Sequence, residues 1–265
     1  MKAILSALAL LVAGILAGLL ALLVARGAGD LSLAFLLGLP ARAGRDGGIL
    51  PVLAATGWLT TGAMALALPL GVGTALYLQE YARPGRLVEA IRSLTETLAG
   101  VPSILFGLFG FSLFVVRLGW GWSLLSGSLT LALMLLPTVI RTSEEALAAV
   151  DRALREGAAA LGATRWETVR RVVLRRAAPG ILTGAILALG RALGETAAVL
   201  LTAGSDLAMP ISPTDPGRSM AVHLYILATE GLSDGRAYAT ALALVTGVLA
   251  VNLSAHYLLE RGRRS

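Results

Sequence analysis

Two ionisable residues stand in a stretch otherwise too apolar to hold them. Arg191 and Glu195 lie four positions apart within the apolar run 178–203. On a helix that spacing puts both on one face. Charge at bilayer depth is costly and faces a protein interior or an aqueous path. Two uses fit the pair. In one, a guanidinium attracts an anion and a nearby carboxylate tempers the hold, so the two form a translocation path or gate. In the other, the pair is a buried ion bridge that fixes helix packing, a role that often brings little net stability. Glu96 is ambiguous in the same way, and its place near a span entrance favours a solvated side chain.

The second notable stretch is 144–180, EEALAAVDRALREGAAALGATRWETVRRVVLRRAAPG, polar and arginine-rich in an apolar chain. Leu147, Val150, Leu154, Ala158 and Leu161 recur at spacings of a single helix face. Thr142 with Glu145, and Thr164 with Glu167, have capping-box spacing. Gly162 between them fits a helix stop. Trp166, Val169 and Val173 give a second helix its apolar face, and Arg165, Arg170, Arg171, Arg175 and Arg176 the opposite one. This predicts a helix, a tight turn and a helix. A basic amphipathic hairpin could lie on anionic lipid. Two capped helices about a fixed glycine fit better as a plug for a soluble partner.

Other chemistries find no residues. The chain has no cysteine, so disulfides and thiolate metal sites are excluded. Its two histidines, His223 and His256, form no recognisable ligand set, and no metal or cofactor is expected. No G-x-x-x-x-G-K-[ST] phosphate loop, G-x-S-x-G elbow or H-E-x-x-H zinc motif occurs. Lys2 is the sole lysine. The chain is not expected to hydrolyse ATP.

Composition gives the elements that must position these residues. Of 265 residues, 56% are hydrophobic and only 14% charged, with a mean hydropathy of +0.79. Soluble domains carry about 25% charged residues, so this is an all-α polytopic membrane protein. The length fits one transmembrane domain, 1–265, without a second, nucleotide-hydrolysing one. Spans need about 20 apolar residues, and six are read: 3–25, 52–79, 93–116, 120–140, 178–203 and 237–259. The first is too long for the roughly 7–15 residue core of a signal peptide. The third, with Glu96, Gly100 and Pro102 near its start, should enter as a broken or interfacial helix. Gly71 and Gly73 beside Pro69 suggest a bend or a close helix approach.

Arginine placement orients the spans. With the N-terminus inside, fifteen cationic residues face the cytoplasm, including the 144–180 cluster, Arg83, Arg86, Arg92, Arg261, Arg263 and Arg264. Six lie outside: Arg26, Arg42, Arg45, Arg117, Arg218 and Arg236. That asymmetry follows the positive-inside rule, and an even span number also puts the C-terminus inside. The net charge of +6 is then a topology signal and no mark of nucleic acid. Trp120 and Trp122 anchor an outer turn, and Tyr77, Tyr81 and Tyr257 inner ends. The outer loops 26–50 and 204–236 are turn-dense. MPISPTDPG cannot be regular helix. SMAVHLYILATEG reads as a short helix at the outer surface or a plain connector.

The segment EGAAALG, Glu156–Gly162, resembles the EAA signature of ABC importer permeases. Glu156, Ala158 and Gly162 fall in register, with Val172 and Leu174 at its aliphatic end. Gly157 replaces an alanine, and Arg175 stands where proline is usual. GGILPVLAATGWLTT, LPLGVGTALYLQEYA, ETLAGVPSILFGLFG, LPTVIRTSEEAL, LGRALGETAAVLLTAG and AVHLYILATEG together resemble PstA-type permeases of phosphate importers, from Gly47 to Gly231. The resemblance implies a cytoplasmic-membrane permease with a coupling-helix hairpin between its fourth and fifth spans. It implies ATPase coupling through Glu156, Ala158, Leu161 and Gly162, and a transport role for Arg191 and Glu195. The implied partners are a PstC-like second permease, a PstB-like ATPase dimer and a PstS-like phosphate-binding protein, besides membrane lipid. Importers of sulfate or molybdate share an R-A-L-G-E stretch, usually with an aromatic where Thr196 stands, and remain the alternative. An intramembrane enzyme would need more polar residues at depth than Arg191 and Glu195.

Overall fold

The computed structural model describes the backbone of residues 2–264, and their side chains except at 3, 255, 256 and 258–264. His256, Arg261, Arg263 and Arg264 fall outside the described side chains. In chain order the helices are α1 (Lys2–Gly27), α2 (Leu33–Leu37), α3 (Leu50–Leu76), α4 (Arg86–Ala99), α5 (Ser103–Gly110), α6 (Leu124–Ala148), α7 (Arg152–Ala160), α8 (Arg165–Thr168), α9 (Leu174–Leu193), α10 (Ala197–Thr202), α11 (Met220–Thr229) and α12 (Asp234–Arg264). A two-residue hairpin ladder, β1 (Pro40–Ala41) with antiparallel β2 (Asp46–Gly47), precedes α3. π-helical turns extend α3 through Tyr77–Tyr81, extend α5 through Phe111–Arg117 and join α8 to α9 through Val169–Val173.

Among the described residues five continuous helices are long and apolar enough to cross a membrane. The pair Arg86–Ala99 and Ser103–Arg117, bent by 102° at Gly100–Pro102, makes a sixth if the two helices form one broken span. The expected break in the third span is therefore present. Proline at 102 lacks the donor a continuing helix needs and disfavours helical backbone at Val101.

α3 and α6 run in the same direction and form the centre. Small residues let them approach closely. A Cβ on Gly71 would stand 2.6 Å from Val139, and one on Gly62 would stand 2.7 Å from Ser128. Close approach is thus the role of Gly71, whereas Gly73 touches nothing. α9 returns antiparallel to α6, with Gly180 against Ala146 and Gly184 against Thr142. The core cluster includes Leu59, Leu131, Leu135, Ala188 and Val222.

Three sequence expectations are corrected. Thr142 caps nothing: its hydroxyl donates to Thr138 O, four residues back, and α6 continues to Ala148. The apolar stripe Leu147–Leu161 is consequently split between α6 and α7, which Asp151 starts by accepting the Ala153 N–H. The fifth span is also displaced. A single helical rod runs from Arg165 through Pro179 to Leu193, so the hairpin's second limb and the span are continuous. It ends at Gly194 and not at 203.

The 204–219 loop is structured though irregular. Its Asp215 and Pro213 carbonyls accept the N–H groups of Leu124 and Leu125, donors that open α6 and have no intrahelical partner. Ser219 then caps α11, as its hydroxyl accepts the Val222 N–H. α11 does not lie on the surface: Val222, His223, Ile226 and Leu227 are buried. The Met220 N–H donates to Thr56 Oγ1, which fastens α11 to α3. The expected short helix is present and is packed against the bundle, so the segment is no plain connector.

Candidate coupling hairpin and translocation site

The hairpin is built from its corner outward. Gly162 has φ +84°, a left-handed conformation that suits glycine. No atom lies within 4 Å of where its Cβ would stand, so the corner is open. Beyond it a complete capping box forms. Thr164 Oγ1 accepts the Glu167 N–H, and the Glu167 carboxylate accepts the Thr164 N–H at 3.0 Å. These bonds hold the Glu167 carboxyl below its usual range. The sequence signal for this second cap was sound.

The four candidate coupling residues share α7 and its end. Glu156 accepts from Arg152 at 2.8 Å on an exposed surface. Ala158 is half-buried. Leu161 is 90% exposed at the tip, next to Gly162. Trp166 is 59% exposed, so it does not share the buried face of Val169 and Val173. A leucine side chain left fully in water forgoes about 1.5–3 kcal/mol of burial. Leu161 and Trp166 are thus two exposed apolar residues on either side of the Gly162 corner.

Sequence reasoning missed the residues that hold this hairpin to the bundle. Arg155 donates to Glu80 from Nη2 at 2.8 Å and from Nε at 3.2 Å. The same guanidinium donates to the carbonyls of Leu147 and Val150, at the end of α6. Arg165 places its guanidinium 5.1 Å from the centre of the Tyr81 ring. Arg92 bonds Glu144 at 3.0 Å and ties α4 to α6. The available signal was a carboxylate in YLQEY, at the end of an apolar span. Its partner lies 75 residues away.

Arg191 and Glu195 are near each other in sequence but do not share a helix face. Arg191 is in the last turn of α9, whereas Glu195 is in the break before α10. No ion pair joins them among the described residues. The Glu195 carboxylate accepts the Ala198 N–H at 3.2 Å, serving the free amides that open α10. Arg191 is exposed and Glu195 half-buried. The antiparallel register carries Ala192 to the level of Met134 and Leu135, all in one core cluster, about midway along α6. The break therefore sits at mid-span. Discontinuous helices at the bilayer midplane are where transporters commonly place ion and substrate contacts.

At the far end of the bundle Arg218 and His223 are buried together. Arg218 donates to Ser205 O at 2.9 Å, and its Nη1 lies 3.4 Å from His223 Nδ1. Burial, then the neighbouring guanidinium, pushes His223 down to about 4. Burial also lowers Arg218.

The architecture is a set of membrane-length helices with a capped, basic hairpin at one end. The family model for the binding-protein-dependent transport system inner membrane component matches residues 67–264. The probable ABC transporter permease protein YqgI of Bacillus subtilis is 36% identical, over 94% of this chain and 90% of its own length. The phosphate transport system permease protein PstA of Haemophilus influenzae is 36% identical, over 78% of this chain and 74% of its own. PstA 1 of Mycobacterium tuberculosis is 38% identical, over 76% and 67%. The chain belongs to this family of inner-membrane importer permeases and is of the PstA type.

Solved structures agree on the fold. A chain of the MetNI methionine ABC transporter, in an inward-facing conformation, superposes with a TM-score of 0.63 at 20% identity, covering 81% of this chain and 94% of that one. A chain of a bacterial alginate ABC transporter gives 0.64 at 16%, covering 83% and 80%. Permeases of this class work with a second permease, an ATPase and a binding protein. The chain is a membrane component, and ATP hydrolysis belongs to a separate subunit.

Proposed function

We propose that this chain is the transmembrane permease subunit of an ATP-driven importer of inorganic phosphate. Residues 1–265 form one permease domain, with 144–180 as its cytoplasmic coupling loop and both termini in the cytoplasm. A PstC-like permease completes the translocation path. A PstB-like ATPase dimer receives the hairpin through Glu156, Ala158, Leu161 and Gly162. A PstS-like phosphate-binding protein delivers cargo to the opposite face.

The observation that carries the coupling role is the tip itself. Leu161 stands almost wholly exposed beside a left-handed glycine corner, on a hairpin capped on both limbs. An exposed leucine at a fixed corner is a feature that a groove on a partner could receive. Phosphate as cargo is supported by relatives named as phosphate permeases in separate genera, and by the cation at mid-span. Among the described residues no carboxylate bridges Arg191, so packing by an ion pair does not account for it there. Phosphate carries one to two negative charges near neutral pH and needs a compensating field to leave water. Arg191 supplies it at the break between α9 and α10, and the nearby Glu195 carboxylate tempers the hold.

The test is uptake of radiolabelled phosphate and sulfate by vesicles holding the complete complex. ATP-dependent uptake of phosphate in preference to sulfate is expected. Preference for sulfate or molybdate would replace the cargo and leave the permease role standing.

A further inference from the structure

Both limbs of the hairpin grip the same short piece of the membrane bundle. From the first limb, Arg155 bonds Glu80; from the second, Arg165 lies over Tyr81. Glu80 and Tyr81 are consecutive and end the π-helical turn Tyr77–Tyr81. π turns are uncommon and recur at functional positions, because their wider winding re-aims side chains without breaking the helix. Here the turn points a carboxylate into the hairpin's throat. The Glu80 side chain is only 10% exposed and that of Arg155 24%.

The guanidinium does more than pair. By also donating to Leu147 O and Val150 O it adds bonds to the carbonyls at the end of α6. One side chain therefore joins α7 to both central helices. α3 then runs as a rod of 32 residues to the opposite end of the molecule, about 48 Å at 1.5 Å per residue. There Thr56 holds the first amide of α11. Displacement of the hairpin would thus be delivered directly to α3, and through it to the far-end loop.

The geometry points to Glu80 and Arg155 as positioning residues that transmit hairpin motion to α3, with Arg165 on Tyr81 as a second, weaker point of attachment. This inference rests on the reading of the hairpin as the ATPase-docking element. It assigns transmission to residues away from the docking tip: Leu161 and Gly162 engage the ATPase, and the clamp passes the stroke on.

The complete complex, reconstituted in vesicles, separates the two roles. Three quantities are read for wild type, Glu80→Gln, Arg155→Gln and the double variant: ATPase retained on co-purification, ATP hydrolysed, and labelled phosphate taken up per ATP. Glu80→Gln keeps the shape and one acceptor oxygen, while it removes the charge and turns the second oxygen into a donor. Each single variant should retain the ATPase and its hydrolysis, while uptake per ATP falls about tenfold, the scale for a buried charged group left without its partner. The double variant should be no worse than the singles, because the two residues act as one unit. Tyr81→Leu should cost about two- to fivefold, as expected when a partly exposed cation–π interaction is removed. Wild-type uptake per ATP in both singles would overturn the inference, as would fully additive effects in the double variant. Loss of the ATPase itself from Glu80→Gln would also overturn it, since the clamp would then be shaping the docking face. If the wild-type chain retains no ATPase, the docking reading falls and this inference with it; if only the clamp variants behave as wild type, docking stands.

Discussion

Arg191 shows how a residue's meaning depends on a break in the helix that carries it. Its four-residue spacing from Glu195 is compatible with a shared helix face, and the sequence offers no louder signal. The structure ends α9 at Leu193, and the Glu195 carboxylate turns to the Ala198 N–H. Charge at mid-span was legible; the absence of a bridge was not, because a glycine inside an apolar run does not announce a helix end. Arg191→Gln should reduce phosphate uptake at least tenfold with normal assembly, since removing one charge-assisted hydrogen bond from the path costs about 1.5–3 kcal/mol. Uptake at wild-type rate would exclude the path role. Gly157 gives a contrasting expectation. It lies inside α7 with open space about its Cα, so Gly157→Ala should stabilise the helix by about 0.5–1 kcal/mol. Unchanged uptake and a slightly raised melting temperature would agree with that; loss of ATPase binding would mean the partner needs the missing side chain.

Elements were more legible than their ends. Capping chemistry read correctly at Thr164 and Glu167, where a polar turn leaves the backbone amides free. The same spacing misled at Thr142 and Glu145, because a threonine inside a helix satisfies its hydroxyl on the carbonyl four residues back. The real cap, Asp151, lies where the apolar stripe reads as unbroken. The far-end loop was least legible of all. Its order comes from long-range bonds, Leu124 to Asp215 O and Met220 to Thr56, that no local pattern encodes. The helix that follows that loop, α11, carries a pH dependence. His223 has its pKa lowered from 6.5 to about 4. Between those values the unfolded chain binds a proton that the native fold refuses. The histidine's contribution is therefore complete above about pH 6.5 and lost as pH falls towards 4, by up to about 3 kcal/mol. The purified chain in detergent should melt lower at pH 5 than at pH 7, and His223→Gln should flatten the difference. An acid drop of equal size in that variant would assign the effect elsewhere.

On the scale of the whole molecule, the chain presents apolar surfaces suited to lipid or to neighbouring helices. α1 is apolar along its length, and none of its best membrane window is buried against the body. It meets the bundle at Gly27, where a Cβ would stand 2.6 Å from the Tyr238 carbonyl. The helical class and the number of spans followed from hydropathy because lipid demands helices of a set length. Packing between them did not, since it depends on close approaches such as Gly71 on Val139. Purified alone in detergent, the chain should hydrolyse no ATP, and turnover by a preparation rigorously free of ATPase would contradict its place as a pure permease.

The account turns on the hairpin as the point where ATP-driven motion enters the membrane, and Gly162→Val tests it most directly. A β-branched residue is disfavoured at φ +84°, and the surrounding space is open, so the strain is confined to the docking corner. In the reconstituted complex, membrane insertion should be normal while ATPase co-purification and phosphate uptake are both lost. Wild-type levels of both would contradict the account.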